Sequence, residues 1–125
     1  MPSDSLIAVY GTLRQGQYNH RRFGMPGTML GKDRVYGFKL MASERTNLPY
    51  VLATTEPGCS VFVELYRVPY VQFLTLQRIE AGAGYYAVTV NTTHGPATMW
   101  VRRFQEGPED SNIPSGDWFD SALAD

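Results

Sequence analysis

Two places in this 125-residue chain carry residue types that could do chemistry. The first is Tyr10-Gly11-Thr12-Leu13-Arg14-Gln15-Gly16, which begins where the apolar run Leu6-Ile7-Ala8-Val9-Tyr10 ends. A glycine directly after a buried strand lets the chain turn with positive φ and lets a ligand approach the backbone closely. Successive N–H groups in such a turn can converge on an anion, so a carboxylate or a developing oxyanion would fit there without a basic side chain. The second is Glu80, near the end of an expected helix and just before Ala81-Gly82-Ala83-Gly84. A helix C-terminus carries partial negative charge, which raises a carboxylate pKa, and partial burial moves it the same way, toward the range of a useful base. Each feature also has a plain structural reading. A glycine after a strand is most often only a turn, and a glutamate at a helix end is normally solvated.

The remaining reactive types give less. Tyr86 could hydrogen-bond a ligand or Glu80 from the strand that follows, and a core tyrosine with a satisfied hydroxyl is an equal reading. His94 falls at an expected turn tip and reads as solvated. Cys59 is the single cysteine, which excludes an intrachain disulfide, and its neighbours Pro57, Gly58 and Ser60 offer nothing that would make a thiolate. No His, Cys, Asp or Glu cluster has metal-ligand spacing, so no metal or other cofactor is expected. Gly11 and Gly16 lack the Lys-Ser/Thr that would complete a phosphate loop. Arg21-Arg22 and Arg102-Arg103 are pairs, not stripes, and read as solvated surface.

The elements that must position these residues follow from periodicity and breakers. Leu6 to Tyr10 reads as a buried strand, and Gly11 to Gly31 as a polar, glycine-punctuated segment. Gly31 to Leu40 reads as one strand with Gly37 inside it. Tyr50 to Thr54 and Ser60 to Val68 are further strands; the latter puts Val61, Val63 and Leu65 on one face and Phe62, Glu64 and Tyr66 on the other. After Pro69, placed in the first helical turn, Tyr70, Phe73, Leu74, Leu76 and Ile79 recur at helical spacing, and Gly82 ends the helix. Tyr86–Val90 and Ala97–Val101 form a hairpin around Thr93-His94-Gly95. Glu106 to Ser115 reads as loop. Asp117 caps a short helix running to Leu123, with Trp118 and Phe119 anchoring the tail. Strands dominate around one principal helix, giving an α+β fold with a mixed or antiparallel sheet, possibly closed.

Bulk properties narrow the class. The length suits one domain, residues 1–125, with no linker or repeat dividing it. Hydrophobic residues make up 43% and charged residues 18%, a balance that favours a folded chain over a disordered one. Eleven basic and twelve acidic residues give a formal charge of −1, which supplies no electrostatic reason for a nucleic-acid or anionic-membrane partner. Met1-Pro2-Ser3-Asp4-Ser5 lacks the pattern of a signal peptide, and no apolar run approaches the ~20 residues needed to span a bilayer. A cytoplasmic protein is expected.

One ordered set of segments runs nearly the length of the chain: Val9-Tyr10-Gly11-Thr12-Leu13-Arg14-x-Gly16-x-x-Asn19-His20, Gly37-Phe38-Lys39-Leu40, Leu48-Pro49-Tyr50-Val51, Val63-Glu64-Leu65-Tyr66-Arg67-Val68, Leu76-x-x-x-Glu80 with Tyr86, and Ile113-Pro114-Ser115-Gly116-Asp117-Trp118. The set resembles the gamma-glutamylcyclotransferase-like superfamily, in its branch of gamma-glutamylamine cyclotransferase and AIG-two-like proteins, whose opening signature the first segment matches. The resemblance implies a small β-barrel-like α+β fold with substrate cradled at Tyr10, Gly11, Thr12 and Leu13. It implies Glu80 as general base and acid, Tyr86 as a substrate contact, and Asn19 and His20 as loop bracing. The implied reaction cyclises a γ-glutamyl group of a γ-glutamyl amine or amino acid to 5-oxoproline and frees the amine. It is acyl-transfer or lyase chemistry without a cofactor, and its partner is a small γ-glutamyl molecule. Two positions depart from the pattern: Gln77 stands where Asp is usual, and Val88 where the Arg of Tyr-x-Arg is expected. That departure leaves an alternative, a module of the same fold that holds an acyl or amino-acid-like ligand without turnover.

Overall fold

The run that precedes the candidate loop is apolar at every position because it is covered on both faces. β1 (Ser5–Val9) lies in the middle of a five-stranded sheet of order β2-β5-β1-β7-β6, with β2 at Thr28–Tyr36, β5 at Ser60–Val68, β6 at Tyr86–Thr92 and β7 at Gly95–Val101. It pairs antiparallel with β5 and parallel with β7, so the sheet is mixed. The computed structural model describes residues 4–17 and 27–121. Asn19, His20 and Arg21-Arg22 lie outside the described residues, as do the last positions of the expected C-terminal helix.

Alternation sorts the sheet's side chains. Ala8 and Tyr10 of the first run, Val61, Val63 and Leu65 of β5, and Ala97, Met99 and Val101 of β7 pack in one buried cluster with Leu40, Ala42, Val51, Ile113 and Trp118. Those partners belong largely to a second, three-stranded antiparallel sheet of order β4-β3-β8, with β3 at Phe38–Ala42, β4 at Pro49–Ala53 and β8 at Ser111–Ile113. Ile7, Val9, Tyr66, Val68 and Trp100 face the other way and meet Leu13 and Leu76. Leu76 is the buried residue of α1 (Tyr70–Gly82), and Phe73 packs partly beside it. Burying one such leucine contributes roughly 1.5–3 kcal/mol. Tyr70, Leu74 and Ile79, expected on the same apolar face, are substantially exposed.

Several expectations are corrected. Gly31 to Leu40 is two strands, because Gly37 sits at φ +87° and sends the chain from one sheet to the other. Pro69 is the N-cap, with extended ψ, and the helix begins after it. Part of the tail read as loop forms β8 by pairing with β3. The sheets are not closed, so barrel-like is too strong. The hairpin tip still curls onto the far edge strand, where the Thr93 amide donates to Asp33 at 2.8 Å. Asp117 caps a single 3-10 turn, Trp118–Asp120, by accepting from the Phe119 amide. Among the described residues, no helix is long and apolar enough to cross a membrane.

Candidate active site

A cavity of about 120 Å³ opens where the end of β1 meets the start of β4 and the end of α1. Tyr10, Gly11, Thr12 and Leu13 line it, and so does Glu80, seventy positions away in sequence and brought there by the helix. Leu48, Pro49, Ile79, Tyr85 and Trp100 complete most of its wall. Of the sequence-expected residues, Tyr86 is not in this lining. It opens β6 on the opposite side from its neighbour, packing on the main core with the Arg103 guanidinium 4.9 Å from its ring centre. The tyrosine in the cavity is Tyr85. It lies one residue before β6, and its hydroxyl donates to the Pro49 carbonyl at 2.7 Å.

Glu80 sits in the last turn of α1, half-buried at the cavity wall, and no hydrogen bond to its carboxylate is formed by the described residues. Burial raises its pKa from the ordinary 4.5 to about 7, with Arg102 opposing the rise. Desolvation therefore outweighs everything else at this carboxyl. Tyr85 is pushed up to about 12, again chiefly by burial, and Tyr10 is raised well above its usual range for the same reason. Both phenols stay neutral at physiological pH. The Tyr10 hydroxyl is already spent on the Trp100 carbonyl, 2.7 Å away.

Gly11 is required for a reason different from the expected positive φ. Its φ is not in the left-handed region, and a Cβ there would lie 2.3 Å from Pro49 Cγ. The Tyr-Gly-Thr-Leu turn and the Leu-Pro-Tyr-Val segment are thus fitted against each other, and the glycine is what permits that contact.

The turn is held from beneath by a buried ion cluster. Arg14 is 1% exposed; its Nε donates to Glu64 Oε2 at 2.9 Å and its Nη1 to Asp117 Oδ1 at 2.6 Å. The other oxygen of Glu64 accepts from the Gln15 amide at 2.8 Å and from the Tyr66 hydroxyl at 2.9 Å. The Arg14 guanidinium lies between the rings of Phe62 and Phe119, 5.0 and 3.7 Å from their centres. Trp118 Nε1 donates to Gln17 Oε1 at 3.1 Å, so the Ser-Gly-Asp-Trp segment fastens both ends of the Arg14–Gln17 stretch. Neither Arg14 nor Glu64 was singled out from sequence. The available signal was Glu64, a charged residue in the middle of the otherwise apolar run Val61–Tyr66, which when buried demands a cation.

The two departures also have an account. Gln77 accepts from Trp100 Nε1 at 2.7 Å, joining α1 to β7 beside the cavity. Val88 packs partly against the main core. A neutral hydrogen bond and an apolar contact stand where a charged pair would have been, and no unpaired buried charge is left at either position.

The two-sheet α+β scaffold with one principal helix matches that of gamma-glutamylcyclotransferase-like structures. The family profile described as "Gamma-glutamyl cyclotransferase, AIG2-like" matches residues 7–120, and the chain belongs to that family. Over 113 residues it is 37% identical to protein PH0828 of Pyrococcus horikoshii, spanning 90% of this chain and 89% of that one. The gamma-glutamylcyclotransferase name of that relative is itself provisional. The crystal structure of PH0828 superposes with a TM-score of 0.78 at 34% identity, over 93% of this chain and 91% of the other. A mouse AIG2-like protein gives a TM-score of 0.68 at 22% identity over 86% and 82%, a likeness of fold. Kluyveromyces lactis allophanate hydrolase gives 0.74 at 17% identity, covering 90% of this chain but 20% of that one. The same fold is thus a minor part of a larger chain there.

Proposed function

We propose that this protein is a gamma-glutamylcyclotransferase that converts the γ-glutamyl group of a γ-glutamyl amine or amino acid to 5-oxoproline, with Glu80 as base and then acid. The observation that carries the reading is the meeting of Glu80 and the Tyr10–Leu13 turn in one cavity, with the carboxyl's pKa lifted by burial to about 7. In the reaction, Glu80 takes a proton from the substrate's α-ammonium. The freed amine attacks the γ-carbonyl within the same molecule, forming the ring nitrogen–carbon bond. Glu80 returns that proton to the departing nitrogen as the original amide bond breaks, and the ring nitrogen gives up its second proton to the released amine, which leaves as the ammonium. Because nucleophile and electrophile share one chain, holding it folded supplies much of the entropic advantage.

The raised pKa matters for the first step. An α-ammonium near pKa ~8 loses a proton to an ordinary carboxylate at ~4.3 at a cost of about 5 kcal/mol. With Glu80 at about 7, the same transfer costs about 1.4 kcal/mol. The backbone of Gly11, Thr12 and Leu13 is assigned to the substrate's α-carboxylate or to the tetrahedral oxyanion, whose donors are typically worth ~10²–10³ in rate. Tyr85 and Pro49, bonded to each other, shape the wall against the glutamyl chain.

The test is 5-oxoproline release from a panel of γ-glutamyl amines, γ-glutamyl dipeptides and glutathione. Turnover on at least one, reduced about 10²–10⁴-fold in Glu80→Gln with binding retained, is the expected result. Saturable binding across the panel with no product, unchanged in Glu80→Gln, would replace the enzyme with a ligand-holding module.

A further inference from the structure

Arg102, read from sequence as half of a solvated surface pair, is built into the wall behind the cavity. Its side chain is 22% exposed. Nη2 donates to the carbonyl of Ala83 at 2.7 Å, three residues after Glu80, and the guanidinium lies 4.5 Å from the centre of the Tyr85 ring. The helix end it caps has no basic residue of its own in the last turn. Ala83 and Tyr85 are themselves tied to Glu80, since both of their amides donate to the Glu80 carbonyl, at 3.1 and 3.0 Å. The same Nη2 lies 2.9 Å from Glu106 Oε1, and the Arg102 amide donates to the Val51 carbonyl at 3.0 Å. The adjacent Arg103 is exposed and rests on Tyr86, outside the cavity lining.

We propose that Arg102 is a positioning residue for the reaction, capping the helix that delivers Glu80, stacking on Tyr85, and supplying the positive charge that faces the carboxyl from behind the wall. Two consequences follow from that geometry. Loss of Arg102 frees the Ala83–Tyr85 turn, on which the direction of Glu80 depends. It also removes the cation that, among the described residues, acts on Glu80; the other ionisable groups of those residues that face this carboxyl are Tyr10 and Tyr85, and both remain neutral. Arg102 in turn is answered by Glu106, so the balance at Glu80 is set by a line of alternating charge, Glu80–Arg102–Glu106. Among the described residues, Arg102 Nε and Glu106 Oε2 are buried without hydrogen-bond partners, and Arg45 Nη2 lies 3.9 Å from that Glu106 oxygen.

The inference rests on the role assigned to Glu80, and the experiment separates the two. The Glu80 side-chain carboxyl is titrated directly by NMR on carboxyl-labelled glutamate, its signal assigned through Glu80→Gln, in the parent, Arg102→Gln, Arg102→Lys, Arg103→Gln and Glu106→Gln. Arg102→Gln is expected to move the Glu80 midpoint up by about one pH unit, a tenfold change in proton affinity, as for removal of an opposite charge that favours the carboxylate. Arg102→Lys recovers at least half of that shift. Glu106→Gln moves the midpoint down, and Arg103→Gln, with the same net charge change on the outer face, leaves it in place. Where there is turnover, the acid limb of the kcat/KM profile shifts in parallel. An unmoved midpoint in Arg102→Gln, or an equal shift in Arg103→Gln, overturns the proposal. Should Arg102→Gln not fold, an unmoved or raised midpoint in Glu106→Gln overturns it. A protein with no turnover but with the expected NMR shifts refutes the enzyme and leaves the charge line standing.

Discussion

Replacing Glu80 with glutamine should make the protein less active and more stable, and the second effect should grow with pH. The carboxyl keeps its shape in the amide but loses its titration. In the folded parent its pKa is about 7 against an ordinary 4.5, because burial penalises the charged form. The unfolded chain therefore releases this proton near pH 4.5, while the folded chain retains it until about pH 7. Across that window the native state binds more protons than the unfolded state, so parent stability falls as pH rises. The contribution is present in full below about pH 4.5 and gone above about pH 7. At about 1.4 kcal/mol per pH unit the full difference is about 3 kcal/mol, an upper bound for a half-buried group at a solvent-open wall. A working expectation is about 1–3 kcal/mol. Urea unfolding of parent and Glu80→Gln at steps from pH 4 to 8 reads it directly. The difference between the two proteins should be flat near pH 4 and widen in favour of the variant up to pH 8. In thermal unfolding each kcal/mol corresponds to about 4 °C for a chain of this size. Because the comparison is of slopes against pH, any constant gain or loss from the amide cancels. Parallel curves would mean that the carboxyl is not desolvated in solution, and the case for a base poised near neutrality would fail with it.

Other outcomes follow from the same geometry. The kcat/KM profile should rise with pH on its acid side with a midpoint near 7, the pKa of Glu80 in the free enzyme; a midpoint near 4.5 would argue against this carboxylate. Gly11→Ala places a Cβ against Pro49 and should destabilise the fold by about 1–3 kcal/mol in urea unfolding, with much of the loss recovered in the double variant with Pro49→Ala. Arg14→Met alone strands Glu64 as an uncompensated buried charge and should cost about 3–5 kcal/mol, whereas Arg14→Met with Glu64→Leu should be much milder in the same assay. Leu76→Ala removes the buried contact of α1 and should cost about 2–5 kcal/mol, lowering turnover by loosening the helix that carries Glu80.

What could be read from sequence followed the strength of local signals. Ser60–Val68 alternates cleanly and was bounded by turn residues, so its limits agree with the structure to the residue. The principal helix and the Tyr86–Val101 hairpin announced themselves by a change of period and a turn between alternating runs. Gly37 was misread because one φ near +90° inside a strand-like stretch cannot be seen in composition, and β8 because three residues gain their strand character only by pairing with β3. Within the cavity, Glu80 and the Tyr10–Leu13 turn were found through an ordered set of motifs. Tyr85 was passed over for Tyr86 because adjacent residues at a strand's start point to opposite sides, and nothing local says which side faces a ligand. Arg14, Glu64 and Asp117 were missed as a group. Their partnership spans the chain, and only the three-dimensional path of β1, β5 and the tail brings them together.

That last cluster sets an order in time. Residue 14 is clasped by residue 117, a separation of 103 positions, and by Glu64 between them. A ribosome delivers the turn early and its fastener late. During synthesis, then, the first strand and its loop must wait, unlatched by Asp117, while the 103 positions that separate it from Arg14 emerge. The full bracing of the turn at the cavity therefore waits on the tail, and a nascent chain halted short of the Ser-Gly-Asp-Trp segment would hold most of the walls but not the lock.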